Sequence, residues 1–449
     1  MSIEPHESIY TGTQVTVATV IEQINLKDPS ELNNRLIDKL KSDGAISSAC
    51  VEAAFRAVPR HLFLPDVALE EVYQDSAIAI KHEDGMTISS SSQPSLMAAM
   101  LEQLELEPGH KVLEIGAASG YNAALMAHIV GEGGHVVTID IDDDLVLGAR
   151  GHLTVAGFTN VEAICADGGF GYEDAAPYDR IILTVGAWDI APAWWGQLRE
   201  GGRLVIPLAI RGPQKAIAFQ KRGNCLESHS AKDCGFIRLR GAFTGPERTI
   251  EFGPEPGLRI ILEGEQRVDR EALYELLMRP ARDLGTGIYA TPAETWSGLN
   301  LWLALRAHGY CDLLAEGEWV GRGIVPHLYG VPGKRKYIGT FGLLVGDSAC
   351  FLMRPPHETP SEEEYHGVPP FELFLRSFGQ DDGPANFLRE QIAAWDRAGR
   401  PSTRDIHIKA YPLGGSCIPS ENEVVVLKQH TQLAISWQQP VTNSRLNSE

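Results

Sequence analysis

KVLEIGAASGYNAALMAHIVG, residues 111–131, decides how this chain is read. The apolar run KVLEIG is short enough for a buried strand, and SGYNAALMAHIVG carries the spacing of a helix. A glycine-containing turn joins them. The same alternation continues on both sides. PSLMAAMLEQLEL, from Pro94, is a helix that starts at proline and stops at Pro108-Gly109. HVVTID, VEAICAD and YDRIILTV read as further strands, DDLVLGARGHLTVAGF and APAWWGQL as helices, and GGRLVIPL with KAIAFQKRG completes the series. Strands alternating with helices imply right-handed crossovers and a doubly wound, mostly parallel sheet covered on both faces. The expected fold class is α/β, Rossmann-like.

In such a sheet a ligand sits beyond the carboxyl ends of the strands, where the strand order reverses. The first strand ends in LEIGAASGY, with Glu114, Gly116 and Gly120. A dinucleotide fingerprint would need glycine at Ala118 and Tyr121. The acidic-x-G-x-G-x-G loop of S-adenosylmethionine enzymes matches except at Ala118. The second strand closes on Asp140, followed by Ile141, where a carboxylate can accept hydrogen bonds from ribose hydroxyls. No arginine is near Asp140 in sequence to take a 2′-phosphate. The third strand ends CADGG and places Asp167-Gly168 where an adenine would lie. Each aspartate alone reads as a helix cap or turn residue. Acidic groups at three successive strand ends point instead to S-adenosyl-L-methionine, with S-adenosyl-L-homocysteine as product.

With 449 residues the chain exceeds one hydrophobic core, so more than one domain is expected. Residues 1–30 lack a clear period and form an arm. SELNNRLIDKLKSDGAI is a helix with Ser30 as its cap. After residue 225 the pattern changes to period-two segments: GFIRLRGAF, RTIEF, GLRIILE, FGLLVGDSACFLM, FELFLRSFG, DIHIKAYP and EVVVLKQHTQLAISW. Two helices interrupt them, one capped by Asp269 and one with Leu388, Ile392 and Trp395 on a single face. RPPHETPSEEEYHGVPP reads as a loop. The expected division is an arm over 1–30, a catalytic domain over 31–224 and a strand-rich α+β domain over 225–449.

A net charge of −20 argues against nucleic-acid binding. No apolar run approaches the roughly 20 residues that span a bilayer, and the N-terminus lacks the features of a secretory signal. Seven cysteines at no metal or C-x-x-C spacing read as free buried thiols, and the chain as cytoplasmic, with no membrane partner and no metal. His407 and His430 lie on alternating strands without partners at ligand spacing. The Trp194-Trp195 pair reads as packing.

VPRHLFLP, YQDSAIAI, DGMTIS with QP, VLEIGAASGYNAA, ADGGFG, PYDRIILTVGA and LREGGRLVIPL follow one another over residues 32–222. In that order they resemble protein-L-isoaspartate O-methyltransferases. The resemblance implies methylation of an aspartyl carboxylate in a peptide, the ester collapsing to a succinimide. It also implies a segment Thr-Ile-Ser-x-Pro beside cofactor and substrate. Thr87, Ile88 and Ser89 match it from the left, Ser92-Gln93-Pro94 from the right, with two residues extra between. The run Ser89–Ser92 is thus expected to be a widened active-site loop. The catalytic serine is Ser92, anchored by Pro94, or else Ser89; Thr87 and Ile88 fall to the cofactor, and Ser91 and Asp75 to the substrate.

GAASGYNAALMAHIVG, TVGAWDIAPAW and the tail ending HTQLAISW are similar to long relatives that accompany ribosomal peptide natural products, especially lanthipeptides. Those methylate a genuine aspartate in a cyclised precursor peptide and leave an aspartimide. In that reading Trp188, after the fourth strand, lines the peptide cleft. The residues beyond 225 recognise the precursor, and a chain cut there keeps its cofactor. Two other readings stand beside it: isoaspartyl protein repair, and a peptide-binding protein that has lost catalysis, for which Ala118 is the support.

Overall fold

The computed structural model describes residues 28–83, 85–330, 337–356, 368–415, 420 and 423–437. Most of the expected N-terminal arm, residues 357–367 of the proline-rich segment and Cys417 lie outside these. Strands β1 (Ile78–Glu83) and β2 (Met86–Ser91) form an antiparallel hairpin. Next come β3 (Lys111–Ile115), β4 (His135–Asp140), β5 (Val161–Cys165), β6 (Tyr178–Leu183), β7 (Leu198–Ala209), β8 (Gln214–Arg222) and β9 (Cys225–Asp233). β10 (Glu247–Phe252), β11 (Leu258–Glu263), β12 (Arg282–Ala290), β13 (Tyr310–Glu316), β14 (Tyr337–Val345), β15 (Ser348–Met353) and β16 (Phe371–Phe378) make a second sheet, and β17 (Ile406–Pro412), β18 (Val424–Leu427) and β19 (Thr431–Trp437) end the series.

The first sheet has ten strands in the order β18-β19-β17-β9-β8-β7-β6-β3-β4-β5. β3 pairs in parallel with β4 and β6, β4 with β5, and β6 with β7. The chain runs outward through β3, β4 and β5 and then returns to the other side of β3. The strand order therefore reverses between β3 and β6, and a crevice opens there. Alternate residues of each strand face opposite cores. Val112 and Val136 pack under the helices Pro94–Leu104 and Tyr121–Val130, whereas Leu113 and Val137 face Trp194 and the C-terminal strands.

The sheet corrects the expected division at 224/225, which falls inside the β8–β9 hairpin. β9 pairs with β17, and β17 with β19, so residues 406–437 return to the first sheet. Their alternating apolar residues Ile406, Ile408, Leu433 and Ile435 fill the same core as Ile206 and Ile217. The second sheet, seven antiparallel strands ordered β10-β11-β13-β14-β15-β16-β12, is built from the intervening chain. Gly346-Asp347 turns its β14–β15 hairpin as expected, and Asp269 caps the helix Arg270–Met278.

Three smaller expectations change. Asp28, not Ser30, caps the first helix, its carboxylate accepting from Ser30 N at 2.9 Å, with Pro29 in the first turn. GFIRLRGAF makes no ladder: it is an extended strap with a single bridge, Arg238 to Gly186. The cysteines are free as expected among the described residues, but Cys50 and Cys165 are exposed. No helix among those residues is long and apolar enough to cross a membrane.

Candidate active site

A cavity of about 410 Å3 opens at the reversal point. Its floor is the turn after β3, from Ile115 to Asn122, with Asp140 and Ile141 from β4, Gly168 after β5, and Thr184 and Val185 after β6. The hairpin residues Thr87–Ser91 and Ser92 form one wall, and the strap residues Gly235–Arg240 another. Cavities of roughly 300–1,000 Å3 hold ligands of cofactor size.

The floor is shaped by backbone conformations a side chain would spoil. Gly116 has φ +106°, and a Cβ there would lie 2.5 Å from Thr184 Oγ1. Gly120 has φ +85° and starts the helix Tyr121–Val130 without lining the cavity itself. Ala118, the departure from the glycine pattern, adopts φ 45° all the same. Its N–H donates to Asp140 Oδ2 at 2.9 Å, while Asp142 N reaches Asp140 Oδ1 at 3.3 Å. Two backbone donors fix the carboxylate at the cavity edge with acceptor capacity left for ligand hydroxyls. Burial nonetheless raises the Asp140 pKa, the two N–H groups opposing it.

Glu114 departs from its expected role. It is fully buried, outside the cavity lining, and both its oxygens are used inside the fold: Asn122 Nδ2 donates at 2.7 Å and Thr138 Oγ1 at 2.6 Å. Burial pushes its pKa up to about 7. It ties the cavity floor to β4 and cannot reach a ligand. Asp167 is likewise occupied, accepting from Gly169 N at 2.9 Å and from Ala242 N of the strap at 2.7 Å. Gly168 does line the cavity, its carbonyl held by the Trp194 indole at 2.8 Å.

Ser89–Ser91 of the serine run lie on a bulged strand rather than in a loop, and Ser92 follows the strand end. Ser89, Ser90 and Ser91 pair with Lys81, Ala79 and Ile78, and the register shifts on either side of Lys81. Bulges absorb extra residues without breaking a hairpin. All four serines line the cavity. The hydroxyls of Ser89, Ser90 and Ser92 have no hydrogen-bond partner among the described residues. Ser91 Oγ instead faces Arg60 Nη2 at 3.4 Å. Asp75 stands outside the cavity, accepting from Ser95 N at 2.8 Å and Gln93 Nε2 at 3.1 Å, and so caps the helix that begins at Pro94. Trp188 is also elsewhere. Its indole donates to Glu263 Oε1 at 2.8 Å on the second sheet, with Lys428 Nζ 4.7 Å from its ring centroid.

Residues not singled out from the sequence complete the site. Arg60, in VPRHLFLP, lies buried behind the serines. Arg240 forms an ion pair with Asp142, which Lys81 of β1 also approaches at 3.5 Å. An arginine thus does stand beside Asp140, brought by the fold across about 100 residues, but its charge is met by Asp142. These pairs join hairpin, floor and strap.

Against known proteins, the family model for protein-L-isoaspartate(D-aspartate) O-methyltransferase matches residues 30–243. The protein-L-isoaspartate O-methyltransferase of Hyperthermus butylicus is 40% identical over 222 residues, 47% of this chain and 90% of that protein. The enzyme of the same name from Thermotoga maritima is 37% identical over 248 residues, 54% of this chain and 78% of that protein. A solved protein-L-isoaspartate O-methyltransferase aligns over 84% of this chain and 96% of its own at 24% identity and TM-score 0.46. The chain belongs to the protein-L-isoaspartate O-methyltransferase family, S-adenosylmethionine-dependent enzymes that methylate protein carboxyl groups.

Proposed function

We propose that this methyltransferase esterifies the side-chain carboxylate of an aspartate in a cyclised ribosomal precursor peptide, and that the ester closes to an aspartimide. The observation that carries the reading is the strap. Residues 235–240 wall the cavity and run on into β10 of the seven-stranded sheet, where Arg238 pairs with Glu247. The wall beside the serines is therefore continuous with the domain that lies beyond the family match, whose last residue is 243. The resemblance of GAASGYNAALMAHIVG, TVGAWDIAPAW and HTQLAISW to the long relatives of lanthipeptide pathways points the same way. In this proposal the inserted sheet, from Glu247 onward, recognises the precursor.

S-adenosyl-L-methionine supplies an electrophilic methyl group on a sulfonium. Gly116 and Ala118 give it backbone room, Asp140 and Ile141 hold its ribose side, and Gly168 its base, with Thr87 and Ile88 closing the near wall. A carboxylate with a reference pKa of about 4 is already an anion at neutral pH, so no general base is required. A free serine hydroxyl, from Ser92 or Ser89, donates to one carboxylate oxygen and leaves the other aimed at the methyl carbon. Such a bond to a charged group is worth about 1.5–3 kcal/mol. The carboxylate oxygen–methyl bond forms as the methyl–sulfur bond breaks. The next backbone nitrogen of the peptide then attacks the ester carbonyl, loses its proton and expels methoxide, which leaves as methanol. Overall the peptide loses one water.

Initial rates on two peptides test this reading. A kcat/KM at least about tenfold higher on the cyclised precursor than on a short isoaspartyl peptide is expected. The reverse ratio would make the chain a repair enzyme. Ser89→Ala and Ser92→Ala together should lower kcat/KM by about 10- to 100-fold. Unchanged turnover in that pair would remove the serines from the mechanism.

A further inference from the structure

The Arg60 side chain is fully buried, yet it lies within 4 Å of no carboxylate among the described residues. Its guanidinium donates to backbone carbonyls: Nη1 to Val72 at 2.8 Å and Gln74 at 3.2 Å, Nη2 to Ser92 at 3.0 Å and Ser76 at 3.4 Å. Nη2 also reaches Ser91 Oγ at 3.4 Å, and Cζ lies 6.0 Å from the centroid of the Tyr121 ring. Ser91, Ser92 and Tyr121 all line the cavity. The one carboxylate whose charge is felt at Arg60, Asp75, is committed to Ser95 N and Gln93. A full positive charge is therefore held one layer behind the serine wall, met by carbonyl dipoles, a serine hydroxyl and an aromatic face but by no carboxylate within ion-pair distance among the described residues. Leaving a charge buried and unpaired is costly, and such an arrangement calls for an anion nearby.

We infer that Arg60 is the buried cation that draws the substrate carboxylate to the serine wall, acting through Ser91 and Ser92 as a positioning residue. The inference rests on the carboxyl methyltransferase reading and adds to it a division of labour. Methyl transfer joins an anion to a sulfonium cation and produces two neutral groups, so charge on the carboxylate falls as the transition state is approached. A cation near that carboxylate favours the bound ground state more than the transition state. Its contribution therefore belongs in substrate binding and not in the chemical step. A residue that only braced the fold would lower kcat or lose cofactor along with substrate.

The test compares the full-length protein with Arg60→Met and Arg60→Lys, using a short isoaspartyl peptide, the cyclised precursor and S-adenosylhomocysteine. Arg60→Met should raise KM for whichever peptide is turned over by roughly tenfold or more, with kcat unchanged or higher. Its affinity for S-adenosylhomocysteine should stay within about twofold, and Arg60→Lys should recover most of the loss. A lowered kcat at unchanged KM, or equal damage in both variants, would overturn the inference. If Arg60→Met does not fold, the wild-type protein decides. Loaded with S-adenosylhomocysteine, it should bind the carboxylate peptide at least about tenfold more tightly than the same peptide with a side-chain amide. Equal binding would refute the role of Arg60. Absence of methyl transfer to either peptide in the wild type would instead refute the reading on which it rests.

Discussion

Ala118 donates its backbone N–H to Asp140 Oδ2 at 2.9 Å, from a residue held at φ 45°. The tie sets the depth of the cavity floor against the end of β4. It also shows why the missing glycine at 118 does not undo the loop: alanine, with the smallest side chain after glycine, tolerates the left-handed region at a cost of about 1–2 kcal/mol. Asp140→Asn would put an amide where two N–H donors converge. The expected result is a loss of S-adenosylhomocysteine affinity of at least about tenfold, or roughly 1.4 kcal/mol, read by calorimetry. Unaltered affinity would show that Asp140 does not hold the cofactor.

Glu114 gives a prediction in pH. Its pKa is raised from 4.5 to about 7 by burial, so the folded state favours the protonated form. Stability from this group is fully present below pH about 4.5 and is lost as pH rises through about 7. Glu114→Gln keeps the neutral form at every pH. The difference in unfolding free energy, variant minus wild type, should therefore rise between pH 5 and pH 8, by about 3 kcal/mol at most. A flat difference would mean that the carboxylate ionises freely in the fold.

Trp188 belongs to the seam between the sheets. Trp188→Phe removes the indole donor from Glu263, whose other oxygen Oε2 is buried without a partner. Denaturant unfolding should show a loss of roughly 1–3 kcal/mol, with KM for the peptide unchanged. A raised KM at full stability would return Trp188 to the peptide cleft.

Arg240, about one-third exposed, clasps the strap to Asp142 at the cavity rim. Surface pairs of this kind contribute modestly. Arg240→Ala should speed release of S-adenosylhomocysteine about two- to fivefold and flatten its dependence on salt. Release at the wild-type rate would leave the strap without a part in holding cofactor.

A chain ending at residue 224 should fail to bind cofactor, contrary to the expectation from sequence. It lacks β9, which covers the edge of β8, and the strap that walls the cavity. Cofactor titration of the truncated chain is the check, and wild-type affinity would show that the strap is dispensable.

The parallel half of the fold could be read because its signals are local: short apolar strands, capped or proline-led helices, and glycine where the floor turns. The place of Asp140 at the cavity could be read for the same reason, since it stands last in its strand. Glu114 could not, since burial of its carboxylate depends on Asn122 and Thr138 meeting it from two other elements. One cue was present: it precedes the last residue of β3 and shares a face with Val112, which points into the core. The return of β17–β19 to the first sheet, and the strap in place of a strand, depend on which neighbour an alternating segment meets. Period two alone does not carry that information. Arg60 was hidden for a similar reason: a single arginine between two prolines becomes informative only when residues 72–76 and 91–92 close around it.

The most direct measurement is mass spectrometry of the cyclised precursor after incubation with the full-length protein and S-adenosylmethionine, beside a short isoaspartyl peptide. The account predicts that the precursor gains one methyl group and then becomes a product one water lighter than the starting peptide. Methylation of the isoaspartyl peptide alone, with the precursor untouched, would contradict it.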